Sequence, residues 1–233
     1  MSRRSRRLAK VRPPDPDALD APWRVFLAVP LAEPVRAAVA GLIGELAPER
    51  WPLRWVAAEG AHLTLHFLGE LPRERVELLR LGLPSVVAAQ AEFDLRTGNL
   101  GVFPNIRQPR VLWLGLYGPT HRLETLHAAL GARLRALGVP VEEERFHPHV
   151  TLGRLRDAAP GEVPLRHLSE AIRQRLADPA TGVLAGPPAI PVPVREVHLV
   201  RSHLGPGGAR YETVGRFPLA APAPPDAPTD APR

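Results

Sequence analysis

The segment His62-Leu63-Thr64-Leu65 returns as His149-Val150-Thr151-Leu152, a repeated His-x-Thr-apolar tetrapeptide whose two copies begin 87 positions apart (149 − 62). Both copies lie in runs of apolar and β-branched residues, which are typical of buried strands. Successive side chains of a strand point to opposite faces, so the histidine and threonine of each copy share one face. The repeat therefore predicts two strands, one from each half of the chain, that present two imidazoles and two hydroxyls to one ligand.

Two histidines and two threonines suit one kind of chemistry in particular. An imidazole has an unperturbed pKa of about 6.5, so it can act as a general acid or a general base near neutral pH. Two imidazoles can divide these roles, one activating an oxygen nucleophile and the other protonating a departing oxygen. Hydroxyl groups can donate hydrogen bonds to the non-bridging oxygens of a phosphate. The pattern favours displacement at phosphorus by a scheme that requires no metal and no cofactor.

The sequence around these residues resembles the two-histidine phosphoesterases, and within them the RNA 2′,3′-cyclic phosphodiesterase and 2′-5′ RNA ligase branch. The resemblance covers roughly residues 23 to 219, in the order that a whole domain should show. Besides the tetrapeptides, it rests on the segments Arg24–Val29, Phe67–Glu70, Pro109–Trp113, Phe146–Arg154 and Leu199–Tyr211. It implies an α+β, bilobal fold: two pseudo-symmetric lobes of mainly antiparallel sheet, with outer helices, around a central cleft where the motif strands meet.

The resemblance also implies roles for the motif residues and a reaction. His62 and His149 would be the catalytic pair, and Thr64 and Thr151 would hold the phosphate. Water activated by one histidine would attack a ribose 2′,3′-cyclic phosphate, and the other histidine would protonate the departing 3′-oxygen, leaving a 2′-phosphate. The sequence leaves open which histidine is the acid.

Three positions beside the second motif add to this picture. Arg154 matches a basic residue that follows the motif in this branch, so the resemblance implies that it contacts phosphate or nucleobase. Phe146 is the aromatic residue that we expect to stack on a base. Gly153 departs from the family pattern, because relatives often have Ala there, but the change is too small to affect the chemistry.

Two other functions use the same scaffold. With an RNA 5′-hydroxyl as nucleophile, the reverse reaction would form a 2′-5′ linkage without ATP, and the catalytic residues do not separate this ligase from the hydrolase. A non-catalytic RNA- or nucleotide-binding module is a third alternative. Such a module typically lacks one of the four motif residues, and all four are present here.

A zinc site is the alternative interpretation of the histidines, since a single histidine on a strand is usually structural. A period of two places His66 and His147 on the same faces as His62 and His149, so the four could surround a metal ion. Neither motif contains a carboxylate or thiolate, and a zinc site would leave the threonines without a role. We therefore expect no metal, with His66 and His147 supporting the site or lying at its rim.

Composition agrees with an RNA-processing enzyme. The chain has 233 residues with 45% hydrophobic content and no cysteine, which allows a substantial core and excludes disulfides and thiolate catalysis. A formal net charge of +6 favours an anionic partner such as RNA ends or nucleotides with a 2′,3′-cyclic phosphate. No apolar run approaches the roughly 18 residues of a membrane span, so we expect a cytoplasmic protein. We also expect a monomer.

The ends of the chain differ from its centre. Residues 1–22 form a basic, proline-rich arm and 220–233 an Ala/Pro-rich tail, and both are predicted to be disordered around a single domain, 23–219. Strands are predicted at 24–30, 53–58, 62–68, 92–99, 110–117, 148–155, 195–202 and 210–217. Helices are predicted at 33–47, from Pro72, at 120–137 and at 164–177. We expect a loop at 98–109, an edge strand at most within 178–193, and a hairpin turn at Gly205–Gly208.

Overall fold

The computed structural model describes residues 21–49, 51–105, 108–141, 145–156, 188–205 and 208–221. Its elements are, in chain order, β1 (Trp23–Pro30), α1 (Glu33–Leu46), β2 (Leu53–Trp55), β3 (His62–Leu71), α2 (Arg73–Gly82), α3 (Pro84–Ala88), β4 (Phe93–Phe103), β5 (Val111–Tyr117), α4 (Thr120–Ala136), β6 (His149–Leu155), β7 (Pro191–Val194), β8 (Glu196–Gly205) and β9 (Gly208–Pro218). The helix expected at 164–177, residues 1–20 of the arm and residues 222–233 of the tail lie outside the described residues.

One antiparallel sheet contains all these strands, in the order β7-β4-β5-β6-β3-β1-β8-β9, with β2 paired to β6. Its two halves share a plan. In one half, strands β1 and β3 come before and after α1 in the chain, and β8 and β9 extend the sheet beyond them. In the other half, β5 and β6 come before and after α4, and β4 and β7 extend the sheet. The halves join where β3 pairs with β6 through Leu63 and Val150. The prediction of an α+β fold with two pseudo-symmetric lobes is confirmed.

Helices α1 and α4 cover one face of the sheet. Each buries apolar residues at helical spacing, which are Val35, Val39, Leu42 and Leu46 in α1 and Leu123, Leu126, Leu130 and Leu134 in α4. After α4, Gly138 adopts a φ of +73°, which ends the helix in the left-handed region that glycine favours. Both helices pack on the core that includes Leu27, Leu63 and Val150.

The other face of the sheet is called the open face below. Phe26, Ala28 and Val200 form a separate small cluster of buried residues on it, and the ring of His62 stacks on Phe26. In the ranges that the structure describes, no helix combines the length and hydropathy needed to cross a lipid bilayer.

The expectation of a loop at 98–109 is partly wrong, because strand β4 continues through Phe103. The polar and glycine residues that suggest a loop are accommodated within the strand. A register shift between Thr97 and Leu100 absorbs Gly98 and Asn99. Gly101 admits the indole of Trp113, which would lie 2.1 Å from a Cβ at that position.

Two other expectations for the chain's second half are confirmed. β7, within the proline-rich stretch, lies at the end of the strand order and is an edge strand. β8 and β9 pair up to Gly205 and Gly208, as a hairpin requires, with one register shift between Leu199 and Val200 and with residues 206–207 outside the described ranges.

Candidate active site

The two tetrapeptides lie in adjacent strands at the middle of the sheet. Leu63 and Val150, which pair across β3 and β6, are 0% exposed on the helix side. The four polar motif side chains lie on the open face and are partly exposed: His62, Thr64, His149 and Thr151. The alternation predicted from the sequence is therefore observed, and the structure brings all four motif residues to one place.

Each motif histidine makes the same hydrogen bond. The Nδ1–H of His62 donates to the carbonyl oxygen of Gly60 at 2.7 Å, and the Nδ1–H of His149 donates to that of His147, also at 2.7 Å. A carbonyl oxygen can only accept, so this contact assigns the hydrogen to Nδ1 in both rings. The Nε2 atoms are then left to take up or release a proton.

The pKa of each imidazole is lowered from its usual value. Burial is the main cause for both His62 and His149, and the hydrogen bond to a backbone carbonyl opposes it. The positive charge of Arg154 also lowers the pKa of both rings. Because both imidazoles are mainly neutral at neutral pH, either one can act as a general base. A bound anion would raise the pKa of the other imidazole and so favour its protonated form.

Aromatic rings surround both imidazoles. His62 stacks on Phe26, with the ring centroids 4.7 Å apart, and meets the edge of Tyr211 at 5.1 Å. His149 meets Phe103 edge to face at 5.0 Å and lies 6.2 Å from Trp113. These rings restrict the imidazoles and remove water from around them, which accounts for the burial that lowers their pKa values.

The threonine hydroxyls are available to a ligand. In the described part of the chain, neither Thr64 nor Thr151 has a protein hydrogen-bond partner for its side chain. Both hydroxyls are partly exposed beside the imidazoles, so each can donate to an oxygen of a bound group.

β-Bulges in both motif strands change the faces of the residues that follow. Along β3 the pairing with β1 skips Leu65, and along β6 the pairing with β5 skips Leu152. One extra residue in a strand reverses the later alternation. As a result Phe67 and Arg154, each five positions after a motif histidine, share the open face with it. Phe67 packs on Phe26 with the centroids 5.8 Å apart, and Arg154 is exposed near both imidazoles.

The same bulge makes the expectation for His66 wrong. Strand alternation predicts His66 on the face of His62, but it lies on the helix side, where its Nε2–H donates to the backbone carbonyl of His127 at 2.9 Å. It is 6% exposed and stacks on the His127 ring at 3.9 Å. The four-histidine zinc arrangement would need His66 beside His62, and the sheet separates the two.

Phe146 and His147 lie on opposite sides of this region. Phe146 stacks on His127 at 4.2 Å and packs against the core below α4, so its contacts give the expectation of base stacking no support. His147 is exposed, its carbonyl holds His149, and its ring is 6.0 Å from Phe103. The structure thus brings Arg154 and His147 to the site, but not Phe146.

Sequence reasoning misses most of the rings around the histidines. One signal could have found Phe67. It lies five positions after His62, and Arg154, which the sequence analysis does single out, lies five positions after His149. Phe103 falls within the expected loop. Tyr211 is 62 residues beyond His149 (211 − 149) in a different strand, and although it ends a segment that carries the resemblance, the sequence gives it no role beside His62. Long-range strand pairing brings these rings to the site.

Comparison with known proteins places the chain in a family. A family model described as the 2′-5′ RNA ligase superfamily matches residues 31–206. An RNA 2′,3′-cyclic phosphodiesterase of Thermus thermophilus is 34% identical over 203 residues, covering 84% of this chain and 90% of the relative. One of Geobacillus stearothermophilus is 31% identical over 195 residues, covering 83% of this chain but only 56% of the relative.

Solved structures agree. A protein of Thermus thermophilus matches with a TM-score of 0.64 and 32% identity, over 85% of this chain and 98% of that one. E. coli LigT, solved in complex with 3′-AMP, matches with a TM-score of 0.62 and 28% identity, over 85% of this chain and 98% of its own. The strand order, the paired motifs and these matches lead to one conclusion: the chain belongs to the 2′-5′ RNA ligase superfamily.

Proposed function

We propose that this protein hydrolyses 2′,3′-cyclic phosphate ends of RNA, or nucleotides with the same group, to 2′-phosphates. His62 and His149 act as general acid and general base. The observation that carries the proposal is the matched pair of imidazoles on adjacent strands, each with Nδ1 held by a backbone carbonyl and Nε2 left for proton transfer. The names of the relatives from Thermus and Geobacillus support the same reaction.

The proposed reaction exchanges one oxygen at phosphorus for another. A water oxygen forms a bond to phosphorus while the bond from phosphorus to the ribose 3′-oxygen breaks. The neutral imidazole takes a proton from the water through Nε2, and the protonated imidazole gives one to the 3′-oxygen. After release of the 2′-phosphate, proton exchange with solvent restores both rings.

Three further side chains stabilise the phosphate in this proposal. Thr64 and Thr151 donate hydrogen bonds to the non-bridging oxygens, where negative charge accumulates. Arg154 lies near both imidazoles and offers a charged, planar donor to the same group. The exposed rings on the open face, Phe67 and Tyr211, are better placed than Phe146 to contact a base.

The organisation of the chain is also proposed. Residues 23–219 form one bilobal domain, with 1–22 and 220–233 as appendages. A single copy of the chain carries both motif histidines in one sheet, which supports action as a monomer. An RNA substrate supports the cytoplasmic location that we expect.

The test is hydrolysis of adenosine 2′,3′-cyclic phosphate in the presence of EDTA, with the products resolved as the 2′- and 3′-monophosphates. We expect the 2′-phosphate alone, at a rate that EDTA leaves unchanged. Formation of the 3′-phosphate, or loss of turnover with EDTA, would contradict the proposed mechanism.

A second candidate function is 2′-5′ ligation, which the description of the matching family favours. It uses the same residues, with an RNA 5′-hydroxyl replacing water as nucleophile. Incubation of an RNA ending in a 2′,3′-cyclic phosphate with one beginning in a 5′-hydroxyl separates the two functions, because a ligase yields a longer RNA and a hydrolase yields a 2′-phosphate.

A further inference from the structure

Two arginines lie opposite each other on the open face. β2 pairs with β6 in a register that places Arg54 directly across from Arg154. The ladder continues beyond this pair, since the N–H of Arg156 donates to the carbonyl of Pro52 at 3.0 Å and that of Val56 to Leu152 at 2.9 Å. The register is therefore held on both sides, and the two arginine side chains leave the sheet from the same face.

No carboxylate among the described residues neutralises the charges of this pair. Arg54 and Arg154 are exposed, and in the part of the chain that the structure describes neither has a carboxylate within ion-pair distance. Arg195, by contrast, pairs with both Glu92 and Asp94. Like charges directly opposite each other in a sheet are destabilising, so a bound anion would stabilise this arrangement.

The two arginines differ in their relation to the imidazoles. The charge of Arg154 lowers the pKa of both His62 and His149, whereas Arg54 is not among the groups that act on either ring. Arg154 is thus placed to contact the reacting phosphate. Arg54 stands beside it on the neighbouring strand, directly across the pairing between β2 and β6.

We propose that Arg54 binds the phosphodiester next to the reacting cyclic phosphate, so that the site prefers a single-stranded RNA end over a cyclic mononucleotide. The inference rests on the proposed function, because the cyclic phosphate held at the two histidines supplies the first anion. A mononucleotide has one phosphate and leaves Arg54 unused. An RNA end brings a second phosphate, and the paired guanidiniums then each have an anionic partner.

The test compares Arg54→Ala with Arg80→Ala on two substrates, adenosine 2′,3′-cyclic phosphate and a single-stranded hexaribonucleotide ending in a 2′,3′-cyclic phosphate. Arg80 is an exposed arginine of α2 paired with Glu77, so its variant removes the same formal charge away from the open face. Arg54→Ala should lower kcat/KM for the RNA about ten-fold, mainly through KM, and change that for the mononucleotide by less than about two-fold. Arg80→Ala should change neither by more than about two-fold.

Salt dependence gives a second readout. For the RNA, the slope of log kcat/KM against log salt concentration should become shallower by about 0.7 in Arg54→Ala, as expected for the loss of one phosphate contact to a single strand. An unchanged RNA rate would overturn the inference, as would equal losses on both substrates, which would place Arg54 at the reacting phosphate.

Failure of the proposed function would look different. If the wild-type protein turns over neither substrate, the same hexaribonucleotide ending in a 3′-phosphate can be titrated by fluorescence anisotropy. Arg54→Ala should still bind it about ten-fold more weakly than the wild type or Arg80→Ala. Equal affinity of the three proteins would overturn the inference on its own.

Discussion

Each motif histidine is suited to proton transfer because one of its ring nitrogens is already occupied. The Nδ1–H of His62 and that of His149 both donate to a carbonyl two residues earlier in the chain. This contact fixes the tautomer and the ring orientation at once. The sequence predicts which residues meet, but the choice of Nε2 as the reacting atom depends on backbone carbonyls that no motif specifies.

Replacing either histidine should remove most of the activity. We expect His62→Ala and His149→Ala each to lower kcat for adenosine 2′,3′-cyclic phosphate by about 10²–10⁴-fold, because each variant loses a proposed general acid or base. His121→Ala is the control, since His121 is exposed on α4. Circular dichroism should show all three folded, and near-normal turnover by either motif variant would remove that residue from the catalytic pair.

Arg154 should influence the pH dependence as well as the rate. In the proposed mechanism one imidazole of the free protein must be neutral and the other protonated, so kcat/KM should be bell-shaped between the two pKa values of the pair. Both are lowered by burial, so the optimum should lie below about pH 6.5. Arg154→Met removes a positive charge, which raises both pKa values and should move the optimum to higher pH. A pH–rate profile of both proteins checks this, and an optimum that stays in place would contradict it.

At the scale of elements, the main features that the sequence could not show are the bulges. Alternation predicts the faces of His62 and Thr64 correctly, because both precede the bulge at Leu65. It fails at His66, because the extra residue reverses the faces of the residues that follow it, as far as a second bulge at Leu68. A bulge depends on how two strands pair, and the apolar pattern of a single strand does not record it.

The neighbouring strand β4 makes room for a ring of the site through one glycine. A Cβ at Gly101 would lie 2.1 Å from the indole of Trp113, which lies near His149. Gly101→Ala should therefore lower the free energy of unfolding by about 1–3 kcal/mol through overpacking, and should reduce kcat/KM as the indole moves. Urea unfolding and turnover measure the two effects.

Gly44→Ala provides the control for this substitution. Gly44 is exposed in α1, and no atom lies within 4 Å of a Cβ built there. The same chemical change should stabilise the protein by about 0.5–1 kcal/mol, because alanine favours a helix interior. Equal stabilities of the two variants would show that the Trp113 contact does not constrain β4.

Helix α4 and strand β3 are joined by a stacked pair, His66 and His127. Burial, followed by the charge of His66, lowers the pKa of His127 to about 4, while its hydrogen bond to the backbone of Leu65 opposes the change. The unfolded chain takes up this proton at about pH 6.5. The stability that a neutral His127 contributes is therefore present above about pH 6.5 and is lost as the pH falls toward about 4.

His127→Gln should reduce that loss, because glutamine keeps a hydrogen-bond donor but does not titrate. We expect the Tm of the wild type to fall on acidification from pH 7 to pH 5, and the Tm of the variant to fall less. Part of the decrease should remain, since the pKa of His66 is also lowered by burial. Equal decreases in both proteins would show that His127 does not contribute.

At the scale of the whole molecule, one plan is used twice. The units β1–α1–β3 and β5–α4–β6 each place a motif strand at the centre of the sheet. The repeated tetrapeptide predicts that each half supplies one motif strand, and the family resemblance implies the symmetry of the two lobes. The sequence does not predict how the two halves differ. Phe67 and Arg154 occupy equivalent positions, each five residues after a motif histidine, but their side chains have nothing in common. Arg154 and the facing Arg54 add positive charge to one side of the open face, and in the proposed function that difference orients the RNA.

The same plan predicts that the sheet and its helices are sufficient for turnover. A shortened chain of residues 21–221 keeps every described strand and helix, and it lacks residues 1–20 of the arm and 222–233 of the tail. It should hydrolyse adenosine 2′,3′-cyclic phosphate with a kcat/KM within about two-fold of the full chain, because both motif histidines and their supporting rings are retained. Differential scanning fluorimetry should give a similar Tm. A large loss of turnover in a folded shortened chain would show that the ends contribute to the site, and a failure to fold would contradict the proposed domain of residues 23–219.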